Sequence, residues 1–383
     1  MKIIQKKLSA SKEWEIIRDD GFDHGLCNMV FAFGSRELLS DVSFYSFFHK
    51  SYPLAEIIMC STSGEIIDTQ VSDDTISLTG IFFERTPIKV CSIRIENVEE
   101  SFDTGKRLSG LLEHSGLKHV MIVSDGMKVN GTELVNGLAE GLPQGTIITG
   151  GLAGDGYKFE KTIVGANRIP IEGQILAIGF YGEHIVTSYG SVGGWGPFGP
   201  ERLITKSKGN ILFELDGKPA LSIYKNYLGE YARELPGSGL LFPLSIRSNT
   251  SGSFLVRTIL SINEKEGSLT FAGSIPEGVY ARFMKAGFNK LVEGANDAAI
   301  NSIIGKIQKP DLAILISCVG RKLVLGQRIE EEIEVIRTIY GNKTAITGFY
   351  SYGEISPLLD SVICELHNQT MTITTFTETD ESK

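Results

Sequence analysis

The chain is poor in cysteine, histidine and tryptophan, and it has no long apolar run. Its 383 residues hold five cysteines, six histidines and two tryptophans. The cysteines, at 27, 60, 91, 318 and 364, are odd in number, scattered and without a Cys-x-x-Cys pair. That pattern excludes a disulfide framework and a structural zinc, and fits reduced thiols. The histidines, at 24, 49, 114, 119, 184 and 367, are scattered, and apart from the lone pair 114/119 none stand at metal-ligand spacing. That argues against a multi-histidine metal centre, though not against a single axial haem ligand. The longest apolar runs, such as Leu312–Val319, fall far short of the roughly 20 residues of a membrane helix. Basic residues near Met1 lead into no apolar stretch, so a secretory signal is absent and the cytoplasm is the expected compartment. No lysine/arginine cluster offsets a formal net charge of −9, which argues against nucleic acid as a partner. P-loop, His-Glu-x-x-His, EF-hand and Gly-x-Ser-x-Gly patterns are all missing. Gly194–Gly199 matches Gly-x-Gly-x-x-Gly, but Pro200 and the β-rich Leu203-Ile204-Thr205 follow instead of a helix, so it reads as a structural loop.

What the chain does have is a strand-helix-strand unit, twice. Lys118–Tyr157 opens with the apolar Val120–Val123 and breaks at Ser124-Asp125-Gly126. Leu134, Val135, Leu138, Ala139 and Leu142 then lie on one helical face. A second strand, Thr146–Thr149, ends in Gly150-Gly151-Leu152-Ala153-Gly154-Asp155-Gly156. Asp311–Pro357 repeats the plan: strand Leu312–Ile316, then Ser317-Cys318-Val319-Gly320-Arg321, then a helix with Ile329, Ile333, Ile336 and Tyr340 on one face and Gly341 as its stop. The strand Thr344–Thr347 follows, closing in Gly348-Phe349-Tyr350-Ser351-Tyr352-Gly353-Glu354. Both units reach their last turn through Ile-Thr-Gly. A crossover of this length joins parallel strands, and ligands of open α/β sheets sit at the carboxyl edge of such strands. An earlier apolar strand, Ala55–Cys60, also ends in a polar turn with a carboxylate, Ser61-Thr62-Ser63-Gly64-Glu65.

The expected fold is α/β, in the mixed α+β sense, with two packed domains, 1–215 and 216–383. Each is expected to hold a mixed sheet with one strand-helix-strand unit, flanking antiparallel strands and helices. Thr162–Ala166, Gln174–Tyr181 and Ile185–Tyr189 read as a meander, Gly278–Asn296 as a helix, Glu365–Phe376 as one strand and Thr377–Lys383 as a solvated tail.

The candidate ligand-binding residues are those at the strand ends. Glu65, Asp125, Asp155 and Glu354 are placed to receive a cationic group. Main-chain amides around Ser61, Ser63, Gly64 and Gly151, together with Arg321, are placed to receive an anionic one. Phe349, Tyr350 and Tyr352 are candidates for pocket walls. Turn capping is the ordinary role of each acid taken singly. Cys318, beside Gly320 and Arg321, is the candidate thiol of an alternative reading as a cysteine- or carboxylate-dependent enzyme, although no histidine lies near it to act as base.

The strings CSTSGEI (60–66), VSDG (123–126), GGLAGDG (150–156), FELDGKPAL (213–221), SCVGRKLVLGQR (317–328), GFYSYGEISP (348–357) and LHNQTMTI (366–373) resemble, in order, the landmarks of the FIST family of bacterial signal-transduction sensors. The resemblance implies FIST N-terminal and C-terminal domains, a cytoplasmic location and a small ligand, with amino acids the proposed class. It also implies a stand-alone, non-enzymatic sensor acting in trans on a separate signalling protein such as a histidine kinase or a cyclase. The alternative it implies is a haem-based nitric oxide sensor regulating a histidine kinase.

Overall fold

A computed structural model describes residues 1–9, 12–247, 254–303, 309–357 and 364–379. The chain is written as three successive versions of one module. The first runs through strands β1 (Lys2–Leu8), β2 (Trp14–Asp19) and β3 (Met29–Gly34), helices α1 (Arg36–Leu39) and α2 (Val42–Ser51), then β4 (Glu56–Ser61), β5 (Glu65–Ile67), β6 (Gln70–Ser72) and β7 (Ile76–Phe82). The second runs through β8 (Ile88–Arg94), α3 (Ser101–Ser109), β9 (Leu117–Ser124), α4 (Gly131–Gly141), β10 (Ile147–Leu152), β11 (Val164–Ala166) and β12 (Gln174–Tyr181).

The third begins with β13 (Ile185–Val192) and is then interrupted by a separate β-rich insert. The insert comprises β14 (Trp195–Pro197), β15 (Arg202–Lys208), β16 (Ile211–Leu215), β17 (Lys218–Pro219), α5 (Ala220–Leu228), β18 (Leu244–Arg247), β19 (Phe254–Arg257), β20 (Ile259–Asn263), β21 (Ser268–Phe271) and β22 (Tyr280–Ala286). The module resumes with α6 (Phe288–Asn301), β23 (Leu312–Cys318), α7 (Val319–Leu325), α8 (Glu331–Tyr340), β24 (Ala345–Ser351), β25 (Gly353–Pro357), β26 (Cys364–His367) and β27 (Met371–Glu378).

In each module a parallel pair, β3/β4, β9/β10 or β23/β24, lies in the interior of a six-stranded mixed sheet. The local causes are ordinary. Asn130 caps α4 by accepting from the amides of Thr132 and Glu133, Leu134, Val135 and Leu138 bury one face, and Pro143 follows its end. Gly341, at φ +74°, stops α8.

The chain segments after the parallel pairs are exchanged cyclically. The β5–β6 hairpin leaves the first module and pairs with β24 of the third. The β25–β26 hairpin leaves the third and pairs with β10 of the second. The single strand β11 leaves the second and pairs with β4 of the first. Each chain then returns antiparallel beside its own first parallel strand, as β7, β12 and β27. The inner faces of the three sheets meet in one core, with Phe31, Phe33, Met121, Val123, Leu176, Ile314, Ile316 and Phe349 among its members. Each outer face is covered by its own helices: α1 and α2, α3 and α4, or α6 and α8. Every large apolar side chain so buried is worth roughly 1.5–3 kcal/mol.

The mixed α+β architecture is as expected, and both strand-helix-strand units sit in mixed sheets. A third such unit, β3-α1-α2-β4, precedes them. The sequence division at 215/216 falls inside the insert, between β16 and β17, and strands from either side of it share sheets. Other expectations are corrected. Gly278–Asn296 is a strand followed by a helix: Ala281 and Phe283 alternate into the insert core, and the helix starts only after Gly287. Glu365–Phe376 is two strands, because Gln369 at φ +64° turns the chain between β26 and β27. The strands β11, β12 and β13 are no meander; each belongs to a different sheet. Thr377 and Glu378 continue β27, the Glu378 carboxylate accepting from the amides of Glu84 and Arg85; residues 380–383 lie outside the described residues.

Candidate functional site

The carboxyl ends of the parallel strands do come together, and main-chain hydrogen bonds knit them. The amides of Gly154 and Gly156 donate to the carbonyls of Ser61 and Thr62 (3.0 and 3.3 Å). Ser63 and Tyr350 pair through the Ser63 amide to the Tyr350 carbonyl and the Tyr350 amide to the Gly64 carbonyl (2.8 and 2.9 Å). The amide of Tyr352 donates to the Leu152 carbonyl at 3.2 Å. Gly151 sits inside this weave, where a Cβ would stand 2.6 Å from Ile316. Ser61 and Ser63 spend their hydroxyls on the Ile163 amide and the Gly156 carbonyl.

Most of the carboxylates serve the chain itself. Glu65, 2 % exposed, accepts from Thr62 Oγ1, the Thr75 amide and Thr75 Oγ1. Glu354, wholly buried, repeats that arrangement with Ser351 Oγ, the Thr370 amide and Thr370 Oγ1. Each therefore fastens an exchanged hairpin to the start of its returning strand. Burial pushes Glu65 up to about 7 and Glu354 up to about 8, against the hydroxyl and amide donors that favour the ionised form. Asp125 caps the amides of Met127 and Lys128 and holds the Gly173 amide at 2.8 Å. Asp155 accepts from the amides of Phe159, Glu160 and Lys161, from Arg36 and from the Tyr352 hydroxyl. Thr62, Gly64, Glu65 and Asp155 border one polar cavity of about 360 Å³, with Arg36, Asp73 and Lys158 at its rim.

Four expected site residues are drawn elsewhere. Arg321 is fully buried, 2.7 Å from Glu332, and donates to the carbonyls of Leu291 and Gly193; its place is to bind α7 to α6 and α8, which leaves it nothing for an anionic ligand. The Tyr350 hydroxyl donates to the same Glu332, and Phe349 packs against Phe33 in the central core. Cys318 is buried, and burial together with the Glu354 charge pushes its thiol up, away from a reactive thiolate.

A large hollow opens beside this junction, between the carboxyl edge of β9 and β10 and the insert. Its volume is about 820 Å³. Tyr352 and Phe159 form one wall, their rings stacked at 4.4 Å and 13°. The Tyr352 hydroxyl, shared with Asp155 and the Gly156 carbonyl, fixes that wall. Val129, Leu152 and Leu366 continue it on the body side; Ile211, Leu260 and Phe271 face it from the insert, with Asn130, Lys208 and Asn210 as polar points. A volume of this size, apolar with a few fixed polar groups, suits a small organic molecule. Of the expected residues only Tyr352 lines it. The insert-borne residues escaped sequence reasoning because nothing in the sequence marks 195–286 as an insertion folded back over a strand edge. Phe159 was missed as well, its one signal being an aromatic just past the Gly150–Gly156 turn.

Haem fits this cleft poorly through a histidine, since none of the six lines it. His119 and His367 are buried, bonded to Thr149 Oγ1 and the Ser356 carbonyl, and burial pulls them down to about 3 and about 4. Among the described residues no helix is long and apolar enough to cross a membrane, and no cluster of His, Cys, Asp and Glu is arranged to hold a metal ion.

Three exchanged strand-helix-strand modules and an insert closing over one strand edge define a class: a modular α/β protein with a cleft of small-molecule size between body and insert. The chain belongs to the FIST family, residues 28–218 matching the FIST N domain and residues 220–357 the FIST C domain. FIST domains are sensor domains of signal transduction. Uncharacterized proteins from two strains of Mycobacterium tuberculosis are 23 % identical over 235 residues, which cover 59 % of this chain and 60 % of each relative. An uncharacterized protein of Methanocaldococcus jannaschii is 28 % identical over 174 residues, 39 % of this chain and 30 % of that protein. The match thus spans about three fifths of the length of the mycobacterial relatives.

Proposed function

We propose that the protein is a cytoplasmic sensor that binds a small ligand in the cleft between the β9/β10 edge and the insert, and signals in trans to a separate output protein such as a histidine kinase or a cyclase. The observation that carries this reading is the 820 Å³ cleft walled by the Tyr352–Phe159 stack and closed by a separately folded insert. A ligand that touches both faces favours one insert position over others, and this differential contact is the signal. An amino acid suits the cleft in size, with its side chain on the aromatic wall and its polar end toward Asn130, Lys208 and Asn210.

Trp195 supplies a built-in reporter. It stands where the chain enters the insert, its indole nitrogen donating to the Gln369 carbonyl of the body at 2.7 Å. In a Trp14→Phe background it is the only tryptophan left. Titration of the amino acids is expected to raise the melting temperature and shift Trp195 emission for a subset, and Tyr352→Ala is expected to abolish both responses. A flat panel, or responses that survive Tyr352→Ala, overturns the reading.

A further inference from the structure

Arg257 is a buried arginine of the insert with no directly paired carboxylate among the described residues. It sits on β19 of the insert, 2 % exposed. Its Nε donates to the Ser274 carbonyl (3.3 Å) and its Nη1 to the carbonyls of Leu366 (2.8 Å) and Val256 (3.5 Å). Among the described residues Nη2 has no hydrogen-bond partner, and no carboxylate lies at ion-pair distance. Arg321 is the contrast, equally buried but paired with Glu332 at 2.7 Å. A guanidinium taken out of water without a carboxylate is costly, and a fold retains such a group more readily where a ligand completes it. Burial pulls Arg257 down to about 10, with Glu365 opposing.

The side chain lines a second hollow of about 500 Å³ between the insert and α4. Glu133 and Gly209 line both this hollow and the larger one, so the two are adjoining lobes of one cleft. The Leu366 carbonyl that Arg257 holds belongs to the body, and the Leu366 side chain lines the larger lobe. Glu133, Glu277 and Glu365 also border the small lobe. Those acids repel a bare multivalent anion and favour a ligand whose single negative group is accompanied by apolar mass or by an ammonium.

Resting on the cleft reading above, we propose that Arg257 is its specificity residue: Nη2 receives a carboxylate of the ligand in the small lobe while the apolar part lies against Tyr352 and Phe159 in the large one. The ligand class is then a small carboxylic acid with an apolar body. The same guanidinium bridges ligand, insert and body, so binding reinforces the contact that holds the two parts together.

Calorimetry on the full chain with matched acid and amide probes tests it: 3-phenylpropionate against 3-phenylpropionamide, and L-phenylalanine against L-phenylalaninamide. The acid of at least one pair is expected to bind at least about tenfold more tightly than its amide, the scale of a charge-assisted hydrogen bond. Arg257→Gln is expected to abolish the preference for the acid, bringing acid and amide to the same affinity whatever the substitution costs both. Arg257→Lys, which keeps the buried charge and so the fold, is expected to lose most of the discrimination because it lacks the planar fork. Equal binding of acid and amide, both weakened by Tyr352→Ala, overturns the role of Arg257 and leaves the cleft reading standing. Failure of all four probes to bind overturns this proposal.

Discussion

Arg321 and Glu332 lie wholly out of water, and every strong interaction of the pair is with the chain itself: each other, two main-chain carbonyls, Ser317 and Tyr350. Removing one partner of such a pair leaves a buried charge uncompensated, at a cost of about 3–5 kcal/mol. Arg321→Ala is therefore expected to lower stability by that amount in urea denaturation. A ligand-binding arginine would instead cost affinity and spare the fold, so an unchanged midpoint would refute the assignment. The glycines of the shared Ile-Thr-Gly show the same preference for packing over chemistry. A Cβ on Gly150 would stand 2.0 Å from the Ile122 carbonyl, and one on Gly348 would stand 1.8 Å from the Leu315 carbonyl. The repeat in the sequence thus records how closely the second parallel strand approaches the first.

At the scale of elements, Glu65 and Glu354 act as rivets between an exchanged hairpin and its returning strand. Both are raised above the ordinary carboxyl value of 4.5, so the folded protein holds protons that the unfolded chain has released. Their contribution is full below about pH 4.5 and is lost as pH rises through about 7 and 8. His119 and His367, pulled below 6.5, act oppositely: their contribution is present above 6.5 and is lost as pH falls toward 4 and 3. The expected outcome is a loss of stability between pH 6.5 and 8.5 that is markedly shallower in Glu354→Gln, whatever that variant costs at pH 5. Melting temperatures across this range check it, and parallel profiles for the two proteins would refute it. Elements built on strong periodicity, such as α4 and α8, were readable from sequence. The helix expected over Gly278–Asn296 was not, because the alternating Ala281 and Phe283 count as strand residues only once the insert provides a sheet for them.

At the scale of the molecule, the cyclic exchange makes the two halves depend on each other. In residues 1–215 taken alone, β5 lacks β24, β10 lacks β25 and β13 lacks β27. That fragment is expected to show little amide protection by hydrogen exchange, and addition of residues 216–383 is expected to restore it; a well-protected fragment would refute interdependence. The candidate acids were legible as a group in the sequence because polar turns after apolar strands stand out, yet their role was not, because each also takes a hydrogen bond from a more distant part of the chain: Thr75 for Glu65, Gly173 for Asp125, Arg36 and Tyr352 for Asp155, and Thr370 for Glu354. The cleft was legible only at Tyr352, since its opposite wall comes from an insert whose position over the β9/β10 edge has no local sequence signature. By itself the sequence determined two of the three strand-helix-strand units, the small-residue turns that end them and the family, all of which follow from local periodicity, short-range sterics and short motifs. Only the tertiary structure decided which sheet each hairpin joins, which charges are spent on the fold and where a hollow remains, because those depend on long-range pairing and on how completely packed surfaces fill the space between them.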